Sequence, residues 1–172
     1  ASGTAATAGG GQQDTVNGDH AVVGGGAFNS ANSEGSAVVG GTYNSANGAG
    51  AAVVGGHTDA ASVCAAVARR GRAAAAIHGG AAVVAGQQNL AGGSQSFVGA
   101  GLDNSAEGYE TAVVGGEGNR ASGSYAMVGG GYGNVASGTN AVVAGGDNNR
   151  ANGKQASVAG GQNNSAGAEG AT

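Results

Sequence analysis

Ala112-Val113-Val114-Gly115-Gly116-Glu117-Gly118-Asn119-Arg120-Ala121-Ser122-Gly123 is one copy of a segment that recurs along the whole 172-residue chain. Its Ala-Val-Val-Gly-Gly part returns every 14 to 16 residues, which gives eleven copies, one of them degraded. A fixed period of this kind is typical of a solenoid, in which each repeat forms one coil that stacks on the next. The copies begin at Ala6, Ala21, Ala37, Ala52, Val67, Ala82, Ser96, Ala112, Ala126, Ala141 and Ala156.

The composition excludes several classes of protein. Glycine accounts for 40 residues, proline and tryptophan are absent, and charged residues make up only 9% of the chain. Valines that recur in register, with a net charge of only −4, argue against disorder. Collagen would need glycine at every third position together with proline. Six basic residues against ten acidic ones cannot build the basic stripe that nucleic-acid binding requires.

Each copy predicts two short strands and two turns. The β-branched Ala-Val-Val part predicts the first strand, and the Gly-Gly pair that follows permits a turn. Asn119 occupies a slot that holds asparagine or aspartate in other copies, and we interpret this slot as a corner that tolerates the left-handed conformation. Asparagines stacked in this slot could also bond to one another along the solenoid. Ala121, between polar neighbours, predicts a second strand with one buried face, and Gly123 predicts the second corner.

The adjacent valines predict assembly. Val38 and Val39 must point to opposite faces of one strand, as must Val113 and Val114. One face fills the coil, and the other leaves a bare stripe of valines that also carries Phe97 and Met127. Because a strand that is apolar on both faces is usually buried on both, we expect a second chain to cover the stripe. Rotational symmetry favours a parallel ring of two or three chains.

The Ala-Val-Val-Gly-Gly core followed by Asn-x-Ala-x-Gly resembles the head repeats of trimeric autotransporter adhesins, the YadA-like heads. The resemblance covers essentially the whole chain. It implies an all-β solenoid, a left-handed parallel β-roll of about eleven 14–16-residue coils, assembled as a parallel homotrimer. The left hand comes from the resemblance alone, since general rules for parallel crossovers favour the right hand. It further implies display on the surface of a Gram-negative bacterium, anchored in the outer membrane through a region absent from this chain.

The domain prediction is a single repeat head domain over residues 1–172. Ala1-Ser2-Gly3 matches the middle of a repeat, so we expect a fragment of a longer protein. Two departures from the family pattern occur. Two valines are adjacent where the family alternates small and large residues. Residues 63–81 lack the valine pair and the asparagine and place Arg69 in a valine slot, which predicts a degenerate coil or, alternatively, a helical or disordered bulge.

No catalytic constellation, metal site or cofactor site is predicted. His20, His57 and His78 occupy different slots of their copies, so a shared metal site is not expected. The single Cys64 excludes disulfides within the chain and thiolate-rich metal sites. The glycine runs lack the Lys-Ser/Thr and the helix of a phosphate-binding loop, and Asp103, Glu107 and Asp147 are isolated acids on turns. Arg69, Arg70 and Arg72 are interpreted as a solvated cluster.

The expected function is that of a non-enzymatic adhesin head, which attaches to host cells or extracellular matrix through repeated weak contacts. The alternative is a passive spacer in a surface fibre that presents a distal binding tip. An ice-binding rod is disfavoured because Thr42, Thr58, Thr111 and Thr139 are scattered. Phe28 and Tyr43 precede the asparagine slot, where they either cap turns or cover the trimer seam, or contact a ligand. No ligand-binding residue is assigned, and the ligand is unknown.

Overall fold

The computed structural model describes residues 1–57, 60–61, 66–67, 75–76, 78 and 80–172. Within this part of the chain the strands form two parallel sheets, each of eleven two-residue strands, and the chain alternates between the two sheets. The described residues contain no helix, and hence none long and apolar enough to cross a membrane. The chain is therefore an all-β parallel solenoid.

Sheet 1 contains the strands from the Ala-Val-Val parts of the repeats. They are β1 (Thr7–Ala8), β3 (Val22–Val23), β5 (Ala37–Val38), β7 (Ala52–Val53), β9 (Ala66–Val67), β11 (Ala82–Val83), β13 (Phe97–Val98), β15 (Ala112–Val113), β17 (Met127–Val128), β19 (Val142–Val143) and β21 (Ser157–Val158).

Sheet 2 contains the strands from the alanine slots. They are β2 (Thr15–Val16), β4 (Ser30–Ala31), β6 (Ser45–Ala46), β8 (Ala60–Ala61), β10 (Ala75–Ala76), β12 (Leu90–Ala91), β14 (Ser105–Ala106), β16 (Arg120–Ala121), β18 (Val135–Ala136), β20 (Arg150–Ala151) and β22 (Ser165–Ala166).

A third ladder lies between the sheets and was not anticipated. Single residues that follow the Gly-Gly turn form parallel bridges from coil to coil, so each coil has three hydrogen-bonded sides rather than two. We call this ladder the bridge row. Its described members are Gln12, Ala27, Thr42, His57, Gln87, Leu102, Glu117, Tyr132, Asp147 and Gln162.

The structural period is 15 residues over most of the chain. Val22 pairs with Ala37, and Phe97 pairs with Ala112, although the Ala-Val-Val letters begin 16 residues apart at Ala21 and Ala37. The 14- and 16-residue steps occur only on either side of Ala66, which pairs with Ala52 and Ala82. Most of the variable spacing in the sequence is therefore a one-residue shift of the motif along a constant backbone.

The core is a column of small side chains. The valine that ends each sheet 1 strand points inward, as does the alanine that ends each sheet 2 strand, and both are buried, as at Val113 and Ala121. The predicted interior alanines are thereby confirmed, with Val16 as the larger member at one end. A third inward position, immediately before the sheet 1 strand, holds Ala126 or its equivalents Ser36, Ser96 and Thr111.

The asparagines form a buried ladder. Asn119 donates from Nδ2 to the carbonyl oxygens of Gly115, at 2.9 Å, and Gly131, at 2.8 Å, and its Oδ1 accepts the backbone N–H of Asn134 at 2.9 Å. The Nδ2 of Asn134 also lies 3.2 Å from this Oδ1, so the predicted bonding between stacked asparagines is confirmed. Because the amide satisfies backbone groups of its own coil and both neighbours, burial incurs little desolvation penalty.

The predicted left-handed conformation of the asparagine slot was wrong by one residue. Positive φ occurs at the residue before the asparagine, for example 58° at Phe28 and 58° at Tyr43, whereas the asparagines themselves are not left-handed. We call this preceding position the left-handed row. Asparagine is selected at its slot by hydrogen bonding rather than by φ.

The second corner is present where Gly123 predicted it, but Gly123 has no positive φ. A Cβ on Gly123 would lie 2.1 Å from the carbonyl oxygen of Gly138 in the next coil. Glycine is required there because the coils approach closely. The left-handed residue of this corner comes two positions later, at Tyr125.

The expected degenerate coil or bulge at 63–81 falls largely outside the described residues. The parts that are described remain in register, since Ala66 and Val67 lie in sheet 1 and Ala76 pairs with Ala61 and Ala91 in sheet 2. Cys64 and the arginines Arg69, Arg70 and Arg72 also lie outside the described residues.

Candidate functional site

The outer face of sheet 1 carries one large apolar side chain in each described coil from residue 22 to residue 144. This side chain occupies one of two outward positions, the first residue of the strand or the residue just after the strand, and the other position holds glycine or alanine. We call the large residues the apolar stripe: Val22, Val39, Val54, Val84, Phe97, Val114, Met127 and Val142.

Close packing between coils explains the choice of position. A Cβ on Gly24, Gly99 or Gly129 would lie 2.3 to 2.5 Å from a carbonyl oxygen of the next coil, so these positions have no room for a side chain. In those coils the large residue occupies the first position instead, as Val22, Phe97 and Met127 do. In other coils the later position is open and holds a valine such as Val39.

The adjacent valines point in opposite directions, as predicted, but not always in the same order. Val38 is fully buried and Val39 is 61% exposed, so there the first valine is the inner one. In the pair Val22 and Val23, the second valine is buried and the first is exposed. The Ala-Val-Val motif thus occurs in two registers, and both keep one valine in the core and one on the stripe.

The two sheets differ in the chemistry of their outer faces. The described outward positions of sheet 1 carry no charged residue. Those of sheet 2 are mainly polar and are linked to one another, for example from Asn17 to Asn32 and from Asn32 to Asn47 through side-chain amides 3.1 and 2.9 Å apart. A continuous apolar strip beside a satisfied polar face marks sheet 1 as the candidate interaction surface.

Aromatic side chains stack along the edge that follows the bridge row. The rings of Phe28 and Tyr43, both in the left-handed row, are parallel with centroids 4.7 Å apart, and His57 meets Tyr43 edge-on at 5.7 Å. Both aromatic residues are partly exposed, and their stacking covers the corner, as expected for turn-capping side chains.

A shallow cleft of about 300 Å³ opens further along the same edge. It lies over Gly118 and Gly133, two successive glycines in the left-handed row, where other described coils have side chains such as Asp103 and Asn148. Its walls are formed by Gln88, Leu102, Asp103, Glu117, Tyr132 and Asn148. The sequence reasoning missed this cleft. The signal was present as glycine in two consecutive copies of one slot.

One ion pair lies on the outer face of sheet 2. The Arg120 guanidinium contacts Glu107 through Nε, at 3.1 Å, and through Nη2, at 2.5 Å, while the Ser105 hydroxyl donates to the same carboxylate. The hydrogen bonds from Arg120 lower the pKa of Glu107 below its ordinary value of 4.5, although partial burial opposes the shift. On another corner, a hydrogen bond to Glu110 raises the pKa of Tyr109.

The residues considered as possible ligands are dispersed. His20, His57 and His78 are exposed and lie at different positions of their coils. Within the described residues, no group of three His, Cys, Asp or Glu side chains is arranged to hold a metal ion. Asp147 accepts from Asn148 and Gln162, and Glu107 is held by Arg120, whereas Asp103 lines the cleft.

These features place the chain in the class of parallel β-solenoids with one apolar outer face. In comparisons with known proteins, no family model matched the chain and no similar curated protein was found. The fold is therefore assigned from the chain's own repeat and geometry.

Proposed function

We propose that this chain is the head of a non-enzymatic bacterial surface adhesin, which attaches to host cells or extracellular matrix. In this proposal it is a left-handed β-roll of eleven coils, and three identical parallel chains form the rod. At about 4.8 Å between coils the rod is about 50 Å long. A region outside this chain anchors it in the outer membrane.

The observation that carries the proposal is the apolar stripe. It runs along one face from Val22 to Val142, and the described outward positions of that face hold no charge. An apolar strip of this length is unfavourable in water and is covered most simply by the same strip of identical chains. Parallel copies place equal coils at equal heights, so every coil contributes one large side chain to the shared interior.

Assembly and adhesion are linked through avidity. A trimer presents three copies of each outward position at the same height, so individually weak contacts with a host surface act together. The polar outer face of sheet 2 remains accessible in this arrangement. No catalytic group is needed, because the function is attachment.

A passive spacer is the second candidate, favoured by the outer face of sheet 2. There the side chains of Asn17, Asn32 and Asn47 bond to one another and leave a regular surface with few free polar groups. A spacer requires only this stiffness and the covered stripe.

Two measurements on the purified chain test the proposal. Analytical ultracentrifugation should give a mass three times that of the 15.7 kDa chain, and a stable folded monomer at low concentration would contradict the assembly. Solid-phase binding to extracellular-matrix proteins and to cultured host cells should be saturable. A trimer that does not adhere would leave the spacer as the function.

A further inference from the structure

The cleft over Gly118 and Gly133 has an open floor. The nearest heavy atom to a Cβ placed on Gly118 would be 4.0 Å away, so the glycine leaves space that no neighbouring group fills. Over Gly133, by contrast, the Oδ1 of Asn148 lies 2.6 Å from the corresponding Cβ position. The cleft is therefore closed at one end by Asn148 and is deepest over Gly118.

The walls combine apolar and polar surface. Leu102, Glu117 and Tyr132 are successive members of the bridge row and form one side, and the Tyr132 ring is 54% exposed. Asp103 stands at the other end from Asn148. The Asp103 and Glu117 carboxylates make no hydrogen bond to any described side chain. Asn148 donates its Nδ2 to Asp147, at 2.7 Å, and keeps its Oδ1 over the floor.

This combination points to the class of ligand. An exposed tyrosine ring offers an apolar face with a hydroxyl at its tip, and carboxylate and amide oxygens accept hydrogen bonds. A sugar ring has complementary groups, namely an apolar C–H face and a rim of hydroxyl donors. We propose that this cleft binds a neutral sugar ring, packed against Tyr132, with its hydroxyls donating to Asp103, Glu117 and Asn148.

Charge restricts the sugar further. The lining residues include two carboxylates and no lysine or arginine, and the chain has a net charge of −4. An acidic sugar would place a carboxylate or sulfate beside Asp103 and Glu117 without a compensating cation, which disfavours it. The site therefore selects neutral hexoses over uronic acids and sulfated sugars.

The inference rests on the proposed function only in naming a chemical class for the host ligand, since every lining residue belongs to one chain. In a rod of several chains each chain would contribute one cleft, and weak single-site binding would gain from avidity. A shallow open site for a small ligand predicts a millimolar dissociation constant.

Nuclear magnetic resonance titration of the whole chain tests the site directly. Methyl glycosides of glucose, galactose and mannose are the neutral probes, and glucuronic acid is the acidic one. We expect at least one neutral probe to shift the backbone amide signals of Gly118 and Gly133 with saturation in the millimolar range. Glucuronic acid should bind about tenfold more weakly or not at all.

A matched pair of glycine substitutions locates the binding. Gly118→Asn fills the floor with a side chain that Asn148 and Asn163 already carry in the same left-handed row, at φ values of 54° and 58°. It should weaken sugar binding about tenfold or more. Gly35→Asn is the control, because Gly35 also has a positive φ and open space, lies far from the cleft, and corresponds to Asn140 in another coil. It should leave the affinity unchanged.

Other results would overturn the inference. These are the absence of any saturable shift at Gly118 or Gly133, unchanged affinity in Gly118→Asn, or tighter binding of glucuronic acid than of neutral probes. Should circular dichroism show that Gly118→Asn is unfolded, Tyr132→Ala replaces it, with the same expected loss. Adhesion without sugar binding would refute the cleft and leave the proposed function standing, whereas sugar binding without adhesion would do the reverse.

Discussion

At the residue scale, each coil depends on a glycine that serves two needs at once. Gly116 has φ 91°, and a Cβ there would lie 2.1 Å from the carbonyl oxygen of Gly131 and 2.6 Å from Nδ2 of Asn119. Side chains are disfavoured both by the backbone conformation and by the absence of space. Gly118, two residues later, has the first constraint without the second.

The two glycines therefore predict opposite responses to substitution. Gly116→Ala should lower the free energy of unfolding by about 2 to 5 kcal/mol, because strain and overpacking add. Gly118→Asn should change it by less than about 0.5 kcal/mol. Urea unfolding followed by circular dichroism measures both. Equal losses in the two variants would show that space between coils is not what selects Gly116.

Asp14 is the exception in the asparagine ladder. Its Oδ1 accepts the backbone N–H of Asn29 at 2.8 Å, but its Oδ2 is buried without a hydrogen-bond partner. In other coils the amide nitrogen at this position donates to two carbonyl oxygens, as in Asn119. The carboxylate thus places an acceptor where the coil needs a donor.

Asp14→Asn should therefore stabilise the fold by about 1 to 3 kcal/mol, the usual penalty for an unsatisfied buried polar atom. Asp103→Asn removes the same charge from an exposed position and serves as the control. Chemical denaturation of the two variants gives the comparison. A stabilisation shared by both would indicate a general charge effect instead of completion of the ladder.

How far the sequence predicts individual residues depends on what selects them. The inward alanines follow from alternation with polar neighbours, so Ala121 and its equivalents were predicted correctly. The asparagine slot was located correctly but explained in part by the wrong property. Its φ could not be read from residue type, because asparagine is suited both to left-handed corners and to buried hydrogen bonding. The neighbour that carries the positive φ is Phe28 or Tyr43, which no propensity would select.

At the scale of elements, the strands are only two residues long and derive their order from stacking. Sheet 2 has one ion pair on its outer face, between Glu107 in one coil and Arg120 in the next, with the two side chains 36% and 54% exposed. It connects neighbouring coils without entering the core. Exposure keeps its contribution small.

The pair predicts a pH-dependent stability. Because the folded-state pKa of Glu107 is below the unfolded value, the contribution is present above that value and is lost as the pH falls through the folded-state pKa. Relative to the parent, Glu107→Gln should be about 0.2 to 1 kcal/mol less stable at neutral pH. This difference should shrink at pH values below 4.5, the ordinary pKa.

Thermal unfolding across a pH series measures the effect. Arg120→Gln is the matched variant, since removal of either partner breaks the same contact, and it should show the same loss and the same decline with acid. A constant difference between parent and variant at every pH would mean that Glu107 stabilises the fold through packing alone.

The register of the strands could be predicted only approximately. A strict repeat of the letters would place Val39 over Val23, whereas the structure pairs Val23 with Val38. The sequence does not decide between these alignments, because the two valines are chemically identical and only the spacing to the following coils separates them. The bridge row was missed for a related reason. Gln12, Leu102 and Asp147 share no residue type, so their common backbone role leaves no motif.

At the scale of the whole molecule, the solenoid class follows from the period alone, and the face that needs a partner follows from the paired valines. The cleft could not be predicted in the same way. It is formed by a missing side chain at Gly118 together with walls from three coils, and its existence depends on which slots align.

A charge placed on the apolar stripe tests the whole assembly. Val114→Lys adds an ammonium to the outer face of sheet 1, where the proposed trimer would bury it, and should reduce the sedimenting mass towards that of a single 15.7 kDa chain. Ser122→Lys adds the same charge to the outer face of sheet 2 in the same coil and should leave the mass unchanged. Dissociation in both variants, or in neither, would contradict a specific role for the stripe.

The constant 15-residue step has a consequence for inheritance. A recombination event between two copies removes or adds whole coils, and the severed ends meet in register because the inner valine column and the asparagine ladder are the same on both sides. The resulting protein would be shorter or longer by about 4.8 Å per coil and still able to fold. Reach from the cell could therefore change between generations through copy number, without any substitution having to be selected first.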